Sequence, residues 1–296
     1  MTRRRLDSEL VRRGLVTSRE QGRTAIEEGR VTVAGNVATK AASQVDDASA
    51  IELREALESR YVSRGAHKLI GALDAFGVDV VGVDALDAGA STGGFTQVLL
   101  ERGAARVLAV DVGYGQLAWQ LRSDERVTVL ERTNVRYLAD AGSAVGGNGL
   151  RVDDGEPNES IRLPFRPNLV VADLSFISLR LVLPALVAVA GPETEFLLMV
   201  KPQFEVGKES VGSGVVTDPN LRIEAVLSVA ESARDLGLGI VGCVASPLRG
   251  PKGNVEYFLW MKQAVGDVST DSGNDVQMDA AATHAAIVRA VEEGPQ

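Results

Sequence analysis

Cys243 is the single cysteine in a chain of 296 residues, which excludes an internal disulfide framework. No Cys/His cluster has metal-ligand spacing, so no metal is expected, and Cys243 reads as core filling. Also missing is any uninterrupted apolar stretch long enough to span a bilayer. The opening Met1-Thr-Arg-Arg-Arg5 runs into Leu-Asp-Ser-Glu-Leu rather than into a hydrophobic run, so neither secretion nor membrane insertion is expected and a cytosolic protein is predicted. Positive charge is scarce overall: the formal net charge is −9. That deficit is local, however. Residues 137–160 carry five acids and one Arg, residues 263–296 carry six acids and one Arg, and the remaining chain is neutral in sum. The first thirty residues hold eight Arg against five acids, and a local positive field matters more to docking on phosphate than the whole-chain sum.

With 45% apolar residues, the chain can bury one substantial core and carry a smaller second domain. Leu6, Leu10 and Val11 fall at helical spacing and stop at Arg13-Gly14, and Ser18 can cap a second short helix ending near Glu28-Gly29. Arg30-Val-Thr-Val33 then alternates like a strand, Ala34-Gly35-Asn36 supplies a turn, and the stretches from Val37 and through Ala50-Ile-Glu-Leu53 complete a small sheet. Arg3, Arg4, Arg5, Arg12, Arg13, Arg19 and Arg23 decorate this unit and can meet a phosphate backbone, although a run of Arg on short helices is often only a solvated face. Residues 1–58 are predicted to form this domain and 59–62 a linker. A catalytic domain is predicted over 63–262, opening with a helix through Leu73 and Phe76, and 263–296 is read as an acidic linker and a final Ala-rich helix over Met278–Val291.

The second domain is expected to be Rossmann-like. Val83 to Leu86, Arg106-Val-Leu-Ala-Val-Asp111, Leu169-Val-Val-Ala-Asp173 and Glu195-Phe-Leu-Leu-Met-Val-Lys201 are short apolar strands separated by helical stretches. Such an order calls for a mostly parallel sheet covered on both faces, with ligand chemistry at the carboxyl ends of the strands. Residues 141–160, rich in Gly, Asn and Asp, read as an inserted surface loop.

Asp87-Ala-Gly-Ala-Ser-Thr-Gly-Gly-Phe-Thr96 follows the first of these strands. Gly89, Gly93 and Gly94 there permit close approach of backbone to a nucleoside, and Asp111, ending the second strand, can accept hydrogen bonds from ribose hydroxyls. Gly-x-Gly-x-x-Gly is absent, which weakens the case for a pyrophosphate and favours S-adenosylmethionine over a dinucleotide. Ser91 belongs to the same turn. Phe95 is read equally as a cofactor contact and as core support, and Asp87 as holding the loop or meeting the cofactor's amino end.

Residues 4–55 resemble the S4-like RNA-binding domain, through Arg5-Leu-Asp-x-x-Leu10, Ser18-Arg19 and Glu28-Gly-Arg-Val-x-Val33. Nearly the whole chain resembles the TlyA/hemolysin A family, whose catalytic part is FtsJ-like. Ser63-Arg-Gly-Ala-His-Lys-Leu69, the Asp87–Thr96 segment, Ala172-Asp-Leu-Ser-Phe-Ile-Ser178, Val200-Lys-Pro-Gln-Phe-Glu205 and Gly253-Asn-Val-Glu-Tyr-Phe258 carry that likeness. It implies methyl transfer from S-adenosylmethionine to cytidine 2'-hydroxyls in small- or large-subunit ribosomal RNA, with RNA rather than DNA as partner. It also implies a catalytic Lys-Asp-Lys-Glu group that falls on Lys68, Asp173, Lys201 and Glu256, Asp173 serving the cofactor side as well. Arg60, Arg64 and His67 are then candidates for gripping phosphates.

A ribose hydroxyl is a poor nucleophile, so transfer needs alignment with the methyl and removal or stabilisation of the hydroxyl proton. Lys201 is the candidate base or electrostatic stabiliser, Asp173 and Glu256 orient the ammonium groups, and Lys68 fixes the ribose. Plainer readings stand beside these: Asp173 as a helix cap near Ser175, Lys68 on a helix surface, Glu256 paired with Lys252. Two other functions also stay open, a non-catalytic RNA-binding assembly factor and a membrane-active haemolysin.

Overall fold

The structure, a computed structural model, describes residues 3–16, 18–27, 29–53, 60–138, 163–207, 214–263 and 277–295. The predicted inserted loop at 141–160, residue 59 of the predicted linker with residues 54–58 before it, and residues 264–276 of the acidic linker lie outside the described residues. The chain divides into two compact units, Met1–Arg60 and Tyr61–Gln296.

In the first unit β1 (Arg4–Arg5) leads into α1 (Leu6–Arg12) and α2 (Arg19–Glu27), followed by β2 (Val31–Val33), β3 (Asn36–Val37), β4 (Gln44–Val45) and β5 (Ile51–Leu53). The expected helix, helix, sheet order is present. β2 sits between β3 and β5, with both pairings antiparallel, while β1 pairs with β4 in a second small ladder. The β2–β3 turn places Ala34 and Gly35 at positive φ. Leu6, Leu10, Ala25, Ile26, Val31 and Val45 form the core, so the apolar spacing of the two helices is what closes this unit.

The second unit opens with α3 (Gly65–Phe76), β6 (Asp84–Ala88), α4 (Gly94–Glu101), β7 (Arg106–Val110), α5 (Trp119–Arg122), β8 (Val127–Leu130) and β9 (Leu169–Ala172). It continues through α6 (Leu183–Val189), β10 (Glu195–Val200), α7 (Pro202–Glu205), α8 (Pro219–Asp235), β11 (Leu238–Ala245), β12 (Tyr257–Gln263) and α9 (Ala280–Glu293). The seven strands order as β11-β12-β10-β9-β6-β7-β8. β10, β9, β6, β7 and β8 run parallel, and β12 is antiparallel to both its neighbours. Each face of the sheet carries a core. Val170, Leu198 and Tyr257 face the side of α6 and α8, whereas Val171, Leu197, Met199 and Phe258 face α3 and α4. Strands buried on both faces need continuous apolar runs, which is why their sequences do not alternate.

Cys243 lies in β11, with its thiol pushed up to about 12 by burial, in keeping with a packing role. Among the described residues no helix is long and apolar enough to cross a membrane.

Candidate active site

Three adjacent strands meet at one rim of the sheet. Asp173 follows the end of β9 and Lys201 follows the end of β10. Glu256 precedes β12, and because β12 is antiparallel its first residue, Tyr257, pairs with Val200, the last of β10. The reversed strand thus delivers its amino end to the rim where its neighbours deliver their carboxyl ends. Tyr257 packs on the α8 side and Phe258 on the α3 side, so alternation turns Glu256 toward α3, where Lys68 descends.

The four side chains form a chain of contacts. Lys201 Nζ is 2.5 Å from Asp173 Oδ1, Lys68 Nζ is 3.9 Å from Asp173 Oδ2, and Lys68 Nζ is 2.6 Å from Glu256 Oε2. Lys68 and Lys201 are each only 7% exposed, so the reading of Lys68 as a helix-surface residue is overturned. Glu256 takes Lys68 rather than Lys252 as its partner. Asp173 caps no helix near Ser175; the next helical turn is a 3-10 turn at Leu179–Leu181, capped by Ser178. Two lysines against two carboxylates leave the cluster neutral in formal charge, the usual condition for burying it.

Several residues missed in the sequence complete the rim. Lys201 Nζ donates to Ser175 Oγ at 2.9 Å. Gln203 Nε2 donates to Glu256 Oε1 at 3.3 Å. Buried Glu205 accepts from Ser178 Oγ at 2.5 Å and from the Leu179 backbone N–H at 2.7 Å, tying the loop after β9 to the loop after β10. Phe176 is 90% exposed, holds a positive φ of 65°, and lies 5.3 Å from the Phe204 ring. Exposed aromatic surface on a strained backbone beside a charged cluster was the available signal, but no spacing rule in the sequence marks it.

Beside this cluster lies a cavity of about 490 Å³, lined in part by Gly89, Ser91, Asp111, Gln116, Asn134 and Asp173. Asp111 Oδ2 accepts from the Ser91 N–H at 2.8 Å, and Oδ1 accepts from the Gly113 N–H at 2.7 Å. The carboxylate therefore fixes two loops at the cavity mouth. Gly89 has φ of 87°, and a Cβ there would stand 2.9 Å from the Asp173 carbonyl oxygen, so only glycine leaves this wall open.

Other members of the turn do not line the cavity. Gly93, at φ of 100°, is the N-cap of α4. Gly94 is pressed against Ser63 and the Ala66 backbone, so its bareness serves α3–α4 packing. Of the two readings of Phe95 the geometry favours core support: it is buried and stacks on Phe258 at 6.1 Å between centroids, because the first turn of α4 directs it at the sheet. Asp87 is fully buried, accepts from Thr96 Oγ1 at 2.7 Å, and leaves Oδ1 without a hydrogen bond. Burial pushes its carboxyl up to about 7, against the pull of the Thr96 hydrogen bond, and the nearby Asp173 and Asp111 charges add to the rise.

The predicted phosphate-gripping residues fall into two groups. Arg3 and Arg23 are exposed, as are Arg60, Arg64 and His67, and the His67 ring meets Tyr61 edge-on at 5.3 Å. Arg4, Arg5, Arg12, Arg13 and Arg19 are instead engaged with acids of their own unit. Arg5 and Arg19 hold Asp7 at 2.8 and 3.2 Å, and Arg12 and Arg13 hold Glu9 at 2.5 and 2.8 Å. Both carboxylates are buried.

Comparison with known proteins identifies both parts of the chain. The FtsJ-like methyltransferase profile matches residues 61–263 and the S4 domain profile matches residues 4–51. The 16S/23S rRNA (cytidine-2'-O)-methyltransferase TlyA of Mycobacterium tuberculosis is 52% identical over 294 residues, covering 99% of each chain. Hemolysin A of Brachyspira hyodysenteriae is 34% identical, over 86% of this chain and 97% of that protein. The solved structure of a hemolysin-named protein from Streptococcus thermophilus superposes with a TM-score of 0.68 at 33% identity, over 99% of this chain and 96% of that one. Matched along nearly its whole length in both parts, the chain belongs to the TlyA family of rRNA 2'-O-methyltransferases, an S4 domain followed by an FtsJ-like methyltransferase domain.

Proposed function

We propose that this chain transfers a methyl group from S-adenosylmethionine to the ribose 2'-hydroxyl of a cytidine in ribosomal RNA. The observation that carries the reading is the buried Lys68–Glu256 and Lys201–Asp173 pairing at the rim of the sheet, with Asp173 shared between the pair and the wall of the adjoining cavity. The cavity suits the cofactor: Gly89 keeps its wall open, and the Asp111 carboxylate, braced by the Ser91 and Gly113 N–H groups, stands in its lining as an acceptor for ribose hydroxyls. S-adenosylmethionine bound there supplies an electrophilic methyl on a sulfonium.

The protein's own residues then do three things. Lys201 donates one N–H to Ser175 and is ion-paired with Asp173, which leaves a donor for the ribose oxygen. As the ribose oxygen takes the methyl and the methyl–sulfur bond breaks, the hydroxyl proton would pass to solvent water at the open edge of the site, and the negative charge developing on that oxygen would meet the fixed ammonium, a preorganised stabilisation that needs no reorientation. Lys68, anchored by Glu256, holds the ribose from the other side. Phe176 presents an apolar face on which a displaced base can stack. The exposed arginines of the amino-terminal unit supply phosphate contacts that position the RNA without reading its sequence.

The test is to map ribose methylation of 16S and 23S rRNA by mass spectrometry in cells with and without this protein, alongside a Lys201→Ala variant. Loss of a cytidine 2'-O-methyl in both altered strains is expected. An unchanged methylation map would leave the non-catalytic assembly factor as the better reading.

A further inference from the structure

The arginines of the amino-terminal unit are not equivalent in what holds them. Asp7 and Glu9 are buried acids, and turning their partners outward would strand a charge away from water. Asp47 differs: its side chain is 61% exposed, and one of its oxygens, Oδ1, takes both Arg4 Nη1 at 3.0 Å and Arg12 Nη2 at 2.9 Å. Its departure would strand nothing, because water can take over its hydrogen bonds.

The two guanidinium groups would remain together without Asp47. Buried Glu9 grips Arg12 through two bonds, Nε to Oε2 at 2.8 Å and Nη2 to Oε1 at 2.5 Å, and stands 3.9 Å from Arg4 Nη1. Asp47 itself is set against them by its loop. Arg13 donates to the carbonyl oxygens of Ser49, Asp46 and Asp47 at 2.9, 3.0 and 3.3 Å, and Asp46 Oδ1 accepts from the Ala48 N–H and the Ser49 hydroxyl. The result is a two-arginine fork, open to solvent, in which Arg12 is held by Glu9, Arg4 is drawn to the same carboxylate at 3.9 Å, and a single Asp47 oxygen is seated between them.

We propose that Arg4 and Arg12 form a phosphate site for RNA, and that Asp47 fills this site in the free protein and is displaced when a backbone phosphate enters. A backbone phosphodiester carries the same single negative charge as the carboxylate, so the exchange keeps the fork balanced, and its two non-bridging oxygens can take one guanidinium each while the phosphates on either side add to the attraction. The displaced carboxylate swings into water, so RNA affinity is set below what the fork could deliver. Weak binding by mismatched RNA would be lost first, since only a ligand engaging other contacts can offset the displacement.

This inference rests on the RNA half of the function proposed above. It is tested by filter binding of 16S and 23S rRNA transcripts across a salt series. Asp47→Asn should bind roughly threefold more tightly, the scale of an exposed ion pair, and steepen the slope of log affinity against log salt by up to about one contact's worth, roughly 0.7 to 0.9. Asp74→Asn controls for net charge, since Asp74 is an exposed acid of the other unit paired with Arg102 at 2.7 Å, and it should leave affinity unchanged. In an Arg12→Ala background the gain from Asp47→Asn should shrink. Unaltered or weaker binding by Asp47→Asn, or an equal gain from Asp74→Asn, overturns the site while leaving RNA binding intact. Wild-type protein that binds neither transcript overturns the RNA partner and the site together.

Discussion

Two clusters of paired charge, one in each unit, use the same residue types to opposite ends. In the amino-terminal unit the acids are buried and the arginines reach outward, so Asp7 and Glu9 act as anchors from which positive charge is projected into water. At the rim of the catalytic sheet both lysines and Glu256 are buried and only Asp173 is partly exposed, so the charge is kept in place and largely dry. The first arrangement suits long-range attraction of a phosphate backbone. The second suits work on a single bond, because a sequestered ammonium is worth more to a developing negative charge than a hydrated one.

The sharpest way to break this contrast is at Lys201. Lys201→Ala should lower single-turnover methyl transfer by about 10²-fold or more, with circular dichroism and RNA affinity little changed. Near-normal transfer would remove Lys201 from the chemistry and move attention to Lys68. Lys201→Arg divides the roles: retained turnover supports charge stabilisation, whereas lost turnover with intact binding supports a base that guanidinium cannot replace.

A smaller effect is expected at the cavity. Asp111→Ala frees the Ser91 and Gly113 backbones and should weaken S-adenosylmethionine about tenfold by calorimetry, the scale of a charge-assisted hydrogen bond. Equal binding by the folded variant would remove Asp111 from the cofactor site. Phe95→Leu, by contrast, should bind the cofactor within about twofold of wild type while melting earlier, as a core substitution does.

The two units should also answer pH in opposite directions. Asp7, held down first by Arg5 and then by Arg19, and Glu9, held near about 2 by Arg12 and Arg13, both titrate below the usual carboxylate range. Their contribution is present above the unfolded value near 4 and is lost as pH falls through the folded values. Asp87, raised to about 7, behaves inversely: the folded state holds its proton more tightly, so stability of the catalytic unit declines as pH rises from about 4 to about 7. Hydrogen exchange measured from about pH 2 to about pH 7 resolves the units separately, the amino-terminal one losing protection below about 4 and the catalytic one between about 4 and about 7. Asp87→Asn should flatten the second trend, and a slope surviving that substitution would assign the effect elsewhere.

How legible all this was depended on whether a contact is local or made across the fold. Glu9 stands three and four residues before Arg12 and Arg13, a helical spacing that can be read directly, whereas Asp47 joins Arg12 from 35 residues away. The strand ends bearing Asp173 and Lys201 were readable from apolar runs, and the motif likeness pointed to Lys68 and Glu256. That likeness could not convey how Glu256 arrives, since the direction of β12 depends on its pairing with β10 and β11. Ser175 and Glu205 lie inside motifs that carry the likeness, but their contacts were unreadable for the same reason, because each joins segments that meet only in the folded sheet. Phe95 was ambiguous until the phase of α4 was known.

The parallel ladder between β9 and β10, with Leu198 opposite Ala172, serves as a jig for Asp173 and Lys201. Neighbouring strands are held roughly 4.8 Å apart by their backbones, so the spacing of these two groups is machined into main-chain hydrogen bonds rather than trimmed by side-chain packing. Loops leaving the rim can lengthen, shorten or diverge to suit a different RNA without detuning the pair, because the tolerance of the tool is set in the sheet and its reach is set outside it.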